Sequence, residues 1–191
     1  MRLARSLRVV AVVLLGVAAS LVLGVGATVW GVVDDPRARH AVSRWIGVNF
    51  GEVEPGLYRG GRPTGWRLHA LDELHDFKTV VNLAWVGHEV DRAEAEYFRA
   101  RGVAYHTFSW RPDEAASAEE QAAALALVQQ ASRPVYVHCV GGKDRTGGLI
   151  GLWRRARGMS LDDVRLEWNT YGWPSLAWRT VVAAAPDATG P

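Results

Sequence analysis

The hydrophobic pattern divides the chain into an apolar leader and a long alternating region. From Val9 to Val33 no side chain is charged, and most are Val, Leu, Ala or Gly. A run of that length can cross a bilayer with some tilt. Arg2, Arg5 and Arg8 precede it and Asp34 and Asp35 follow it. The positive-inside tendency then predicts a cytoplasmic basic tail over 1–8, a single-pass anchor over 9–33, and the remaining chain on the extracytoplasmic face. Arg37, Arg39 and Arg44 pull the other way. The rival reading is a signal peptide cleaved near Val25-Gly26-Ala27, which would leave a secreted domain.

Residues 34–52 read as a juxtamembrane connector, with Trp30 and Trp45 as candidate lipid-interface anchors. Leu57-Tyr58-Arg59 begins a short strand, broken by Gly60, Gly61 and Pro63. Trp66 to Phe77 reads as a helix, with Leu68, Leu71 and Leu74 on its core face. Thr79 to Trp85 is a continuous apolar run of the kind found in buried parallel strands. Glu89 to Arg101 reads as a helix with Ala93, Tyr97 and Phe98 inward, ending at Gly102. Val103 to Trp110 is a strand. Ser117 and Glu120 form a capping box for a helix through Ala131. Pro134 to Val137 is another strand, and two final helices begin at Ser160 and after Pro174. Strands alternating with helices predict an α/β fold, a three-layer sandwich with a central, mostly parallel sheet flanked by helices. The main domain is expected over 53–180, with a frayed tail over 181–191.

Charge changes little in this picture. The net charge of +2 comes from the leader's three arginines, and the remainder carries 19 basic and 20 acidic side chains. No nucleic-acid footprint is visible. The single cysteine excludes an internal disulfide.

That cysteine opens the most informative stretch, His138-Cys139-Val140-Gly141-Gly142-Lys143-Asp144-Arg145-Thr146-Gly147. It lies between a strand and a helix, so the loop amides and the helix N-terminus would converge on one point suited to a tetrahedral oxyanion. A thiol at a helix N-terminus beside a guanidinium loses its proton readily, and Arg145 can grip two phosphate oxygens in fork geometry. A Walker-type loop is excluded, because Lys143 is followed by Asp144 and no glycine lies five residues before Gly142.

The stretch resembles the signature loop of cysteine-dependent protein tyrosine and dual-specificity phosphatases, in a compact bacterial form. Gly56-Leu57-Tyr58-Arg59-Gly60-Gly61-Arg62-Pro63 resembles the first strand of the atypical dual-specificity members; Arg59 and Arg62 read as structural or solvated there. The resemblance covers residues 53–180 and implies the same fold. It implies that Cys139 attacks phosphorus to form a phospho-cysteine. Arg145 and the amides of Val140, Gly141, Gly142, Lys143, Asp144 and Arg145 would hold the oxygens. Thr146 matches the hydroxyl that aids thiolate departure, and His138 the residue that orients the loop. Trp110-Arg111-Pro112-Asp113 resembles the mobile Trp-Pro-Asp loop with one inserted residue, placing Asp113 as general acid 26 residues before the cysteine. Glu114 is an alternative acid, and so is Asp144, which occupies the position of an acid assigned in myotubularin-like phosphatases.

Gly-Lys-Asp-Arg-Thr-Gly also resembles loops that act on phosphoinositides or inositol phosphates, and Lys143 adds a cation suited to a substrate bearing several phosphates. The expected activity is a metal-free, cofactor-free phosphomonoesterase, anchored by its N-terminal helix and acting on a phosphorylated protein. The alternatives are an inositide phosphatase of the same fold and a phosphate-binding module without turnover.

Overall fold

A computed structural model describes residues 35–186. The apolar run of 9–33, and all but the first residues of the expected tail, lie outside the described residues. Among the described residues no helix is long and apolar enough to cross a membrane. The chain divides into two units, residues 1–42 and 43–191. Of the first unit, the described part is the start of α1 (Pro36–Ile46).

The second unit is built on five strands: β1 (Gly51–Glu54), β2 (Leu57–Gly61), β3 (Thr79–Ala84), β4 (Ala104–Trp110) and β5 (Val135–Cys139). Their order is β1-β2-β5-β3-β4. Only the β1–β2 pair is antiparallel; β2–β5, β5–β3 and β3–β4 are parallel. Helices α2 (Trp66–His75), α3 (Glu89–Ala100), α4 (Ala118–Gln130), α5 (Asp144–Arg155), α6 (Leu161–Tyr171) and α7 (Leu176–Ala184) flank the sheet. The expected three-layer α/β sandwich is the fold observed.

Strand periodicity assigns the two sheet faces. Val81, Leu83, Val135, Val137 and Cys139 share one apolar cluster with Val128 of α4, Leu149, Ile150 and Trp153 of α5, Trp168 of α6 and Trp178 of α7. On the other face Tyr136 stacks with Phe77, 5.1 Å between ring centroids, and packs with Phe50 at 5.7 Å. That second layer includes Leu71 of α2 and Phe98 of α3, both fully buried. β3 is buried at all six residues, as its continuous apolar run predicts for a central parallel strand.

Two expectations are corrected and one gains detail. Residues 34–52, expected as a juxtamembrane connector, carry the helix α1, which ends at Ile46, and the start of β1 at Gly51. Gly60 and Gly61 do not break β2: both stay in register with β5, opposite His138 and Cys139. Glycine is required there because a Cβ at Gly60 would overlap the Tyr136 hydroxyl, which donates to the Gly61 carbonyl at 2.6 Å. Finally, Ala93 faces solvent, and α3 instead buries Asp91, Glu94, Ala95 and Phe98.

Candidate active site

β5 ends at Cys139 and α5 begins at Asp144, so the loop between them lies at the carboxyl end of a central strand, where sheets of this kind place their ligands. Cys139 is 1% exposed and Arg145 5%. Arg145 donates from Nη1 to the Trp110 carbonyl at 3.0 Å, while its buried Nε has no partner among the described residues and retains a donor for an anion. Trp110 reaches that position through an irregular end of β4. The β3–β4 register shifts between Asn82 and Ala84, and Ser109 adopts a left-handed φ of 54°.

The loop is braced from below by groups outside the motif. Gly142 has a φ of 69°, and a Cβ there would lie 2.5 Å from backbone atoms of Gly60 and Gly61. Arg59 is buried, donates to the Gly142 carbonyl at 2.9 Å and to Glu167 of α6 at 2.6 Å, and stacks 4.2 Å over Tyr171. Asn49 donates to the Gly141 carbonyl at 2.8 Å, and the Arg62 amide donates to the Val140 carbonyl at 3.1 Å. With three loop carbonyls held in this way, the loop's peptide planes are preset, so anion binding costs little reorganisation. Behind it, α5 packs so close to α7 that a Cβ at Gly148 would overlap Trp178.

The motif residues are brought together in part as expected. Thr146 is buried, and its hydroxyl donates to the Gly60 carbonyl at 3.4 Å. That is a tie to β2 and not to the thiol. His138 is fully buried on the opposite sheet face from Cys139, with Nδ1 3.4 Å from the Cys139 carbonyl and Nε2 3.3 Å from Glu94 Oε1. Burial pushes its pKa down to about 3, so the imidazole is neutral. Lys143 is half exposed, 3.7 Å from the Asp144 carboxylate. Asp113 and Glu114 are not drawn into the cradle. They lie on the exposed segment between β4 and α4 and face Arg111, at 4.0 Å and 3.3 Å. Among the described residues no cluster of His, Cys, Asp and Glu could hold a metal ion.

Sequence reading missed Arg59 as the loop's main brace, and missed Glu94 altogether. A signal for Glu94 existed. It lies four residues before Phe98 and three after Asp91, on the stripe of α3 that turns inward.

Residues 46–177 match the tyrosine phosphatase family, and the chain belongs to that family of cysteine-based phosphatases. It is 33% identical over 134 residues to the OCA1 protein of Mycosarcoma maydis, whose name places it among the tyrosine-protein phosphatases; the match covers 64% of this chain and 79% of that one. It is 27% identical to inositol diphosphatase DSP4 of Arabidopsis thaliana, covering 65% of this chain and 64% of that protein. The catalytic core of the PP-IP phosphatase SIW14 from S. cerevisiae, solved with citrate, has the same fold. Its TM-score is 0.65 at 21% identity, over 73% of this chain and 86% of that one.

Proposed function

We propose that the chain hydrolyses phosphomonoesters through a phospho-cysteine intermediate. The observation that carries this reading is the braced loop, which opens at a buried thiol and closes at a buried guanidinium whose Nε has no hydrogen-bond partner among the described residues. Cys139 Sγ attacks phosphorus, the S–P bond forms as the P–O ester bond breaks, and Arg145 with the loop amides takes up the equatorial charge. Asp113 gives the leaving oxygen its proton and then takes one from the water that attacks phosphorus, breaking the S–P bond. In this reading the segment from Arg111 to Ala116 swings toward the cradle when substrate binds, releasing Asp113 from Arg111. Val140 to Arg145 supply the oxyanion contacts, His138 and Thr146 hold the loop, and Asp144 keeps Lys143 beside its rim.

Phosphorylated protein is the first substrate class. Inositol phosphates are the second, favoured by Lys143 at the rim and by the diphosphatase name of the Arabidopsis relative. The run of 9–33 anchors the chain with its catalytic domain outside the cytoplasm; a secreted domain freed by cleavage is the alternative. The test uses the full chain in detergent, without metal, on a phosphotyrosine peptide, a phosphoserine peptide, an inositol phosphate and an aryl phosphate. Turnover that vanishes in Cys139→Ser establishes the enzyme and ranks its substrates. Binding of vanadate with no turnover on any substrate would instead make it a phosphate-binding module. Protease treatment of intact cells checks topology: protection of the domain would place it inside.

A further inference from the structure

Glu94 and His138 meet at the centre of the layer beneath the phosphate loop, and their contact is incomplete unless a proton lies between them. Glu94 is 2% exposed and His138 is fully buried. Oε1 of Glu94 and Nε2 of His138 stand 3.3 Å apart, and neither has another hydrogen-bond partner among the described residues. The other carboxyl oxygen, Oε2, accepts from the Tyr105 hydroxyl at 2.9 Å, which in turn accepts from Asn82 at 3.0 Å. Arg62 is the only cation facing Glu94 among the described residues; its Nε is 3.7 Å away, but its Nη2 is committed to Asp91. The buried Tyr136 ring, stacked 5.3 Å from His138, closes the remaining side. The pocket thus disfavours a second full negative charge beside Asp91, and burial raises Glu94 to about 7.

We propose that Glu94 is a positioning residue for the phosphate loop: its protonated carboxyl donates to Nε2 of His138 and keeps the imidazole proton on Nδ1, facing the Cys139 carbonyl. A neutral imidazole carries one N–H and one lone pair. With Glu94 protonated, Nε2 accepts and Nδ1–H donates to the Cys139 carbonyl 3.4 Å away. With Glu94 ionised, Nε2–H must turn to the carboxylate, and Nδ1 presents a lone pair to that carbonyl oxygen. The contact changes from attraction to repulsion. The peptide it acts on joins Cys139 to Val140, so the same plane carries the Val140 N–H, the first amide of the cradle. The inference rests on the phosphate-cradle reading above and adds a proton that sets the cradle's geometry.

The readout is the imidazole of His138 in the full chain, followed by 15N NMR and assigned by comparison with His138→Asn. The expected result is a proton on Nδ1 at pH 6 that moves to Nε2 by pH 8. In Glu94→Gln, whose amide donates at every pH, the proton should stay on Nδ1. Aryl phosphate kinetics supply the second arm. The ratio of kcat/KM for Glu94→Gln to that of the unaltered chain should rise several-fold between pH 6 and pH 8, because the Gln donor does not titrate. An unchanged His138 tautomer across that range, or a flat ratio, would overturn the proposal. Absence of turnover in the unaltered chain would count against the phosphatase reading instead, and would leave the NMR arm to decide this one.

Discussion

Cys139 lies almost wholly buried at the end of a strand paired on both sides, while Asp113 lies on the segment between β4 and α4, with its side chain 70% exposed. The two halves of the chemistry therefore rest on different physics. The loop that carries the proposed nucleophile is held in place: Arg59, Asn49 and the Arg62 amide bond its carbonyls, and β2 leaves no space for a side chain at Gly142. The segment that carries the proposed acid, Asp113, is held by the Arg145–Trp110 contact at one end and by the Ser117–Glu120 capping box at the other. Between those ends Asp113 and Glu114 face an exposed Arg111, which also lies 5.6 Å over the Trp85 ring, and exposed pairs of this kind are worth little in water. Rigid anion binding with a loosely held proton donor would suit the proposed two-step phosphoryl transfer, in which the acid serves both a bulky leaving group and a water.

The largest effects should come from the rigid half. Cys139→Ser is expected to reduce turnover to background while vanadate still binds; measurable hydrolysis by that variant would remove Cys139 from its role. Gly142→Ala forces an L side chain into a φ of 69° and against the backbone of β2. It should lower kcat/KM by about 10²–10³-fold, the range seen when one oxyanion donor is misplaced, and lower Tm as well. A variant with normal kcat/KM would show the loop to be less preset than its braces indicate.

The exposed half should respond selectively. Asp113→Asn should slow alkyl phosphates about 10²-fold or more, within the range of general acid catalysis. Activated aryl phosphates, whose leaving oxygen needs little protonation, should be slowed far less. Equal slowing of both would move the acid to Glu114 or to Asp144, and separate Glu114→Gln and Asp144→Asn variants would then tell which.

These contrasts also explain what could be read from the chain. The loop from His138 to Gly147 was legible because its chemistry is local: strand, glycines, thiol and arginine are contiguous. The sheet was legible because β3 and β5 are runs of apolar residues and Ser117–Glu120 is a self-contained cap. What could not be read were partners distant in sequence. Arg59 braces Gly142 across 83 positions, and Glu94 meets His138 only after α3 packs on the sheet face. Gly60 and Gly61 looked like a strand break because glycine usually marks one, whereas here Tyr136 leaves no room for a side chain at Gly60 and the backbone of Val140 and Gly141 leaves none at Gly61. The inward stripe of α3 misled for a related reason: a buried carboxyl violates the polarity rule on which helix faces are assigned.

Stability should follow the same division. Glu94, raised from 4.5 to about 7 by burial, favours the folded state while protonated. Its contribution is present below pH 4.5 and lost as pH rises through about 7, on the order of 3 kcal/mol for a shift of that size. His138, lowered from 6.5 to about 3, acts oppositely, and its contribution is lost as pH falls from 6.5 toward 3. Denaturant melts should show Glu94→Gln losing the decline between pH 5 and pH 8.

The smallest change sharpens the comparison most. Ser117 accepts from the Glu120 amide at 3.2 Å, and its own amide donates back to the Glu120 carboxylate at 3.0 Å. Ser117→Ala removes one arm of that cap, worth about 1 kcal/mol. A loss confined to global stability would lower Tm by a few degrees and leave kinetics alone. The cap, however, terminates the segment that carries Asp113, so fraying there should also broaden the positions the acid samples. The expected signature is a two- to threefold fall in kcat for alkyl phosphates, with aryl phosphates and vanadate affinity unchanged. A uniform fall on both substrates would mean that the capped end also supports the cradle, and the division between the two halves would have to be redrawn at Trp110.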